Sequence, residues 1–172
     1  MVEILKVDGY EVKDPVFDYE ENAGADFFVP KYNETFAKDF AKYNPDVQID
    51  SKDGEYFFRL APHKNVIVPA GWYTKFGNDM AFIVCNKSGV ANKQHLSFSA
   101  HIIDASYQGV LLLSVFNYSE DWTIIKCDEK LVQLLQVPIL KGLNIVTGKT
   151  KEEFFEKESK RGAGALGSTG LK

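Results

Sequence analysis

Asp104, Tyr107 and Gly109 stand close together in "AHIIDASYQG", residues 100–109, where two isoleucines lead into a turn. A carboxylate at a strand end can orient a water and take its proton, and a tyrosine ring shortly after it can lie against a sugar face. The alternative is structural: an Asx-turn at Asp104, with Tyr107 covering the strand edge. A second group is "NKSGVANK", residues 86–93, where Lys87, Ser88 and Gly89 follow directly on the apolar run "MAFIVC". A cation, a hydroxyl and a glycine at a strand end make a small anion nest, with a plain turn as the alternative. The third group is "RGAGALGSTG", residues 161–170. Its glycines let backbone amides approach phosphate oxygens, Ser168 and Thr169 add hydroxyl donors, and Arg161 adds a two-pronged charged fork. It lacks the Lys-Ser/Thr ending and following helix of a P-loop, and a solvated tail is the alternative. In "AGADFF", residues 23–28, Asp26 opens an apolar strand and by itself reads as structural.

The elements that must position these groups are mostly strands. "MVEILKV", "EYFFRL", "NVIVPAGWYTKF", "MAFIVCN", "HLSFSAHII", "GVLLLSVFNY", "WTIIKCD" and "KLVQLLQVPIL" are short and apolar, separated by Gly, Pro, Asn and Asp. That pattern predicts an all-β sandwich or barrel. "GVLLLSVFNY" is nearly continuous in apolar residues, as for a strand covered on both faces. One segment differs: in "NETFAKDFAKYN", Phe36, Phe40 and Tyr43 share a helical face and Asn33 can cap its start, which predicts a helix over 34–43. Its aromatic stripe is expected to pack on the sandwich, a lid or partner-binding role being the alternative. "GKTKEEFFEKESKRG" is charged, with only Phe154 and Phe155 as large apolar residues, and reads as a tether. The glycine-rich end that follows pays so much backbone entropy on ordering that a bound ligand is needed to fix it.

Composition narrows the function classes. At 172 residues, 45% hydrophobic and 26% charged, the sequence reads as one domain able to bury a core. A net charge of −4 argues against a general nucleic-acid surface, so a polyanionic ligand must be gripped locally. Cys85 and Cys127 match neither a disulfide framework nor a zinc spacing, and no apolar run reaches the length of a membrane span. A cytoplasmic, intracellular protein is expected.

In order and spacing, the stretches resemble the five motifs of the trimeric dUTP diphosphatases, the dUTPases. "AGADFF" is similar to A-G-Y-D-L, and "NKSGVA" to P-R-S-G-L-A, with Lys87 where Arg is usual. "IIDASYQG" resembles G-x-I-D-x-x-Y-x-G, complete at Asp104, Tyr107 and Gly109, with His101 replacing the first glycine. "EKLVQLLQVPI" resembles the fourth motif with its R-I-A-Q-L core, matching at Gln133, with Lys130 where Arg is common. "RGAGALGSTG" is close to R-G-x-G-G-F-G-S-T-G, with Ala165 and Leu166 in place of Gly-Phe.

The resemblance implies a distorted jelly-roll β-sandwich over residues 1–150, an insertion over about 31–56 holding the helix, and a flexible tether and arm over 151–172. It implies hydrolysis of dUTP at the α-phosphorus to dUMP and pyrophosphate, which limits uracil incorporation into DNA and supplies dUMP. Asp104 would activate the attacking water, and Tyr107 would stack under the deoxyribose, with Ile103 beside it in the substrate site. Lys87, Ser88, Gly89 and Gln133 would hold the phosphate chain. Arg161, Leu166, Gly167, Ser168 and Thr169 would close over the substrate. Asp26 would reach a Mg²⁺ ion indirectly, through water, the metal being held mostly by the triphosphate. A homotrimer is implied, each site shared between three chains, with no nucleic-acid or membrane partner.

The departures bear on the base. The family's phenylalanine stacks over uracil, whereas Leu166 can cover the ring but not stack, and Phe154 or Phe155 is the candidate replacement. The stretch "NKQHLSFSAHII", taken as a base-reading hairpin, is shorter than the family norm. The alternatives are a dCTP deaminase or a dCTP or modified-pyrimidine pyrophosphatase of the same fold, or a non-catalytic nucleotide-binding regulatory member. Against a deaminase, Ser114 stands where those enzymes carry a glutamate.

Overall fold

A computed structural model of the protein describes residues 2–155, 157 and 159. The stretch 161–170, with Arg161, Leu166, Gly167, Ser168 and Thr169, lies outside the described residues. The chain divides into two compact units, Met1–Leu140 and Lys141–Lys172.

In the first unit the strands pair antiparallel in four small sheets. β1 (Glu3–Lys6) pairs with β6 (Trp72–Lys75), while β5 (Asn65–Pro69) and β8 (Leu96–Ser99) flank β10 (Leu112–Asn117). β3 (Ile49–Lys52) and β11 (Thr123–Lys126) flank β4 (Glu55–Leu60). The fourth sheet runs β2 (Ala25–Phe28), β12 (Lys130–Pro138), β7 (Met80–Asn86), β9 (Ile102–Ile103). Their inward residues form one contiguous core, including Phe27, Phe58, Leu60, Val68, Leu113 and Leu134. Each such side chain contributes about 2 kcal/mol by leaving water.

The expected helix is α1 (Glu34–Tyr43). Asn33 caps it, its Oδ1 accepting from the Phe36 amide at 2.9 Å. The aromatic stripe packs inward: Phe36 and Phe40 are buried, and the Phe40 ring lies 4.7 Å from that of Phe58. Asn44 then locks the helix end to β5. Its Nδ2 donates to the carbonyls of Phe40 and Ile67, and its Oδ1 accepts from the Ile67 amide at 2.8 Å.

Three local features differ from the sequence reading. β10 buries Leu113, Val115 and Asn117 and leaves Leu112, Ser114 and Phe116 half-buried, so its second face is only partly covered. Residues 31–56, expected as an insertion, also contain β3 and the start of β4, joined by Asp53 and Gly54 at φ 53° and 83°, the backbone of a two-residue hairpin turn. The stretch 92–103 is not a hairpin: β8 pairs with β10, β9 pairs with β7, and the chain crosses between sheets at Ala100, φ 57°.

The second unit carries α3 (Lys151–Phe155) where a plain tether was expected. A capping box starts it, since Thr150 Oγ1 accepts from the Glu153 amide while the Glu153 carboxylate accepts from the Thr150 amide at 2.7 Å. Phe154 and Phe155 are both exposed.

Candidate active site

The four-stranded sheet gathers four of the five sequence stretches because strand pairing fixes who neighbours whom. β2 carries Asp26, and β12 begins at Lys130 and carries Gln133. β7 delivers the chain to Lys87, and β9 ends at Ile103, one residue before Asp104. In register, Gln133 lies opposite Asp26 on one side and Cys85 on the other, and Ile103, buried, lies opposite Phe82.

Asp26 is 4% exposed and fully engaged. Lys87 Nζ donates to both of its carboxylate oxygens at 2.6 Å, and Lys130 Nζ stands 3.1 Å from Oδ2. Lys130 also donates to both carboxylate oxygens of Asp18. Those hydrogen bonds hold the Asp18 carboxyl below its usual range and push the Lys130 ammonium above its own. Two ammoniums and two carboxylates thus balance around the strand start, which offsets the cost of burying Asp26.

Directly after β7, Lys87 is the cap residue of α2 (Ser88–Gln94). No side chain caps this helix, so the first amides point outward with no partner from the helix itself. Ser88 and Gly89 are exposed there, and a Cβ on Gly89 would meet nothing within 4 Å. Packing among the described residues therefore leaves the space above Gly89 free. Gln133 Nε2 braces the same junction by donating to the Asn86 carbonyl at 3.1 Å.

The loop after β9 is built differently. Asp104 is exposed, and among the described residues its carboxylate takes part in no hydrogen bond or ion pair. The Tyr107 amide donates to the Asp104 carbonyl at 3.0 Å, closing a turn. Tyr107 Oη donates to the Val110 carbonyl at 2.8 Å, and the ring lies so close over Gly109 that a Cβ there would stand 2.5 Å from Oη. Burial pushes the Tyr107 phenol above its ordinary value, yet the residue keeps 39% of its surface exposed. Its exposed side borders a groove of about 560 Å³ shared with Ile4, Leu5 and Tyr73. Where the family motif has glycine, His101 Nδ1 lies 2.8 Å from the Val84 carbonyl.

The sheet therefore brings Asp26, Lys87 and Gln133 together, with Ser88 and Gly89 beside them. Among the described residues no hydrogen bond or ion pair joins this cluster to Asp104 or Tyr107. Sequence reading missed Asp18 altogether and gave Lys130 no role. Their signal lay in pairing, because an isolated bridge between Val16 and Asp26 ties the segment that carries Asp18 to β2.

The family model for dUTPase matches residues 51–170. The chain belongs to the dUTPase family. It is 33% identical over 115 residues to the deoxyuridine 5′-triphosphate nucleotidohydrolase of Herminiimonas arsenicoxydans, covering 64% of this chain and 72% of that protein. With the Methylobacillus flagellatus protein of the same name it shares 31% over 120 residues, 67% of this chain and 75% of that one. Among solved structures, the dUTPase of Staphylococcus bacteriophage 80alpha with dUpNHpp is similar over 99% of both chains, at TM-score 0.72 and 17% identity. The dUTPase from phage phi11 of S. aureus is similar at TM-score 0.66 and 16% identity, over 88% of this chain and 98% of that one. A variant of the phi11 enzyme is described with a structural Mg(II) ion. The fold shared with these dUTPases is the distorted jelly roll expected from the sequence. Among the described residues, no helix is long and apolar enough to cross a membrane.

Proposed function

We propose that the protein hydrolyses dUTP at the α-phosphorus, releasing dUMP and pyrophosphate, in the cytoplasm and as a homotrimer with shared sites. The observation that carries this reading is the convergence of four family motifs on the β2-β12-β7-β9 sheet. Asp104, its carboxylate unengaged among the described residues, takes a proton from the water whose oxygen attacks the α-phosphorus. The bond to the bridging oxygen breaks, and pyrophosphate leaves. Tyr107 stacks beneath the deoxyribose beside Ile103, leaving no room for a ribose 2′-hydroxyl. The free amides at Ser88 and Gly89 receive phosphate oxygens, supported by Lys87 and Gln133. Arg161, Leu166, Gly167, Ser168 and Thr169 close over the substrate. Catalysis of this kind rests on positioning and charge neutralisation.

The donor set fits a metal carried in by the substrate. Among the described residues no cluster of three or more His, Cys, Asp or Glu could hold an ion, and the Asp26 oxygens already accept from two ammoniums. Asp26 therefore suits an indirect role, through water. Mg²⁺ supplies neutralisation of the triphosphate when bound. A deaminase is disfavoured, because Ser114 stands where its glutamate would be and shares a 2.7 Å hydrogen bond with Ser99. Phe154 or Phe155, both exposed, provides the ring that Leu166 lacks.

Incubation with Mg²⁺ and dUTP, dCTP, dTTP or UTP, each alone, tests the reading through pyrophosphate release. Release from dUTP alone is expected. Preference for dCTP would overturn the base assignment, and release from none would overturn the hydrolase reading.

A further inference from the structure

We propose that Asp18 is a positioning residue for the phosphate-holding turn, acting through Lys130 and Asp26 on Lys87. The inference rests on the hydrolase reading above and extends it to a residue outside the five motifs.

The geometry begins with the backbone. Val16 and Asp26 exchange both amide hydrogen bonds, at 2.8 and 3.1 Å, which ties the segment carrying Asp18 to β2, and the Asp18 carboxylate meets Lys130, the first residue of β12. There the β12 register is irregular between Lys130 and Val132, and the Lys130 ammonium reaches Asp18 and Asp26 together. Asp26 offers two carboxylate oxygens to two lysines. Lys87 holds both oxygens at 2.6 Å, while Lys130 stays at 3.1 Å from one. Asp18 accounts for that unequal sharing, since it accepts from Lys130 through both of its own oxygens.

Lysine is a rotatable point charge, without the fixed fork by which arginine commits to one partner. Where both usual arginines are lysines, a second anion is needed to decide which ammonium Asp26 holds. Without the Asp18 charge, Lys130 turns fully to Asp26 and displaces Lys87. Lys87 is also the cap residue of α2, so losing its anchor loosens the junction that presents the Ser88 and Gly89 amides. Phosphate binding then weakens, while the proton transfer at Asp104 is untouched.

The test measures affinity for a non-hydrolysable imido analogue of dUTP by calorimetry, together with kcat and KM for dUTP. The variants are Asp18→Asn, Asp18→Glu, Lys130→Met and the double variant Asp18→Asn/Lys130→Met. Because the Asp18 pair is partly exposed, Asp18→Asn is expected to weaken the analogue and raise KM about fourfold, with kcat unchanged within about twofold. Asp18→Glu restores affinity. The double variant binds better than Asp18→Asn alone, because the competing cation is gone with its anchor. Affinity unchanged in Asp18→Asn would overturn the proposal, as would equal weakening in Asp18→Asn, Lys130→Met and the double variant, the result for a plain brace. Failure of the unsubstituted protein to bind the analogue would overturn it too. Binding without turnover of dUTP would remove the hydrolase reading alone, and the affinity ranking would still judge Asp18.

Discussion

Asp26 and Asp104 sit at strand ends in one sheet and are built in opposite ways. Asp26 is buried, and three contacts from two ammoniums occupy its carboxylate. Asp104 is exposed, and only its backbone carbonyl has a partner among the described residues. A carboxylate so thoroughly paired anchors its surroundings, whereas one without such partners is open to orient a water and accept a proton. The contrast separates an anchor from the proposed base within one family signature.

The largest expected effect strikes the proposed base. Asp104→Asn is expected to lower kcat about a thousandfold, with nucleotide affinity and melting temperature little changed. Parallel loss of affinity and stability would instead make Asp104 an anchor and erase the contrast.

Asp26→Ala is expected to behave the other way, leaving two lysines without their buried partner. Because both ammoniums can regain water, the cost is about 2 kcal/mol, read as a lower midpoint in denaturant, with a rise in KM. Unchanged stability would show that the cluster carries no anchoring load. Tyr107→Phe keeps the ring and removes the hydrogen bond to Val110, which should cost about 1 kcal/mol in stability and leave discrimination of dUTP from UTP intact. Lost discrimination would move the recognition from the ring to the hydroxyl. Smallest of all, Lys87→Arg keeps the charge and adds a fork suited to the Asp26 carboxylate, so kcat/KM is expected within about threefold of the original. A large fall would mean that the compact ammonium itself is required.

Much of this was legible in the sequence, for identifiable reasons. Phe36, Phe40 and the Asn33 cap mark α1 because helical spacing and capping are local properties. The apolar runs mark β4 and β7 at the same residues, and β12 to within two residues of its end, because each run is bounded by turn formers or charged residues. β3 was missed although Asp53-Gly54 signals its hairpin, since "QIDSK" has little apolar content. The β8-to-β9 crossover was missed because a strand's partner is chosen by the whole sheet and not by its own sequence. Asp18 was invisible for the same reason: it acquires meaning only when the Val16 bridge ties its segment to β2 and its carboxylate meets Lys130. The proposed site residues lie on motifs visible in the sequence, while the contacts of Asp18 and Lys130 with Asp26 and its neighbours are visible only in the structure.

Hydrolysis of dUTP in water enriched in ¹⁸O, with the position of the label read by mass spectrometry, tests most directly the claim that Asp104 drives water onto the α-phosphorus. The account predicts one labelled oxygen in dUMP and none in pyrophosphate. Label in pyrophosphate would place the attack on the β-phosphorus and contradict it.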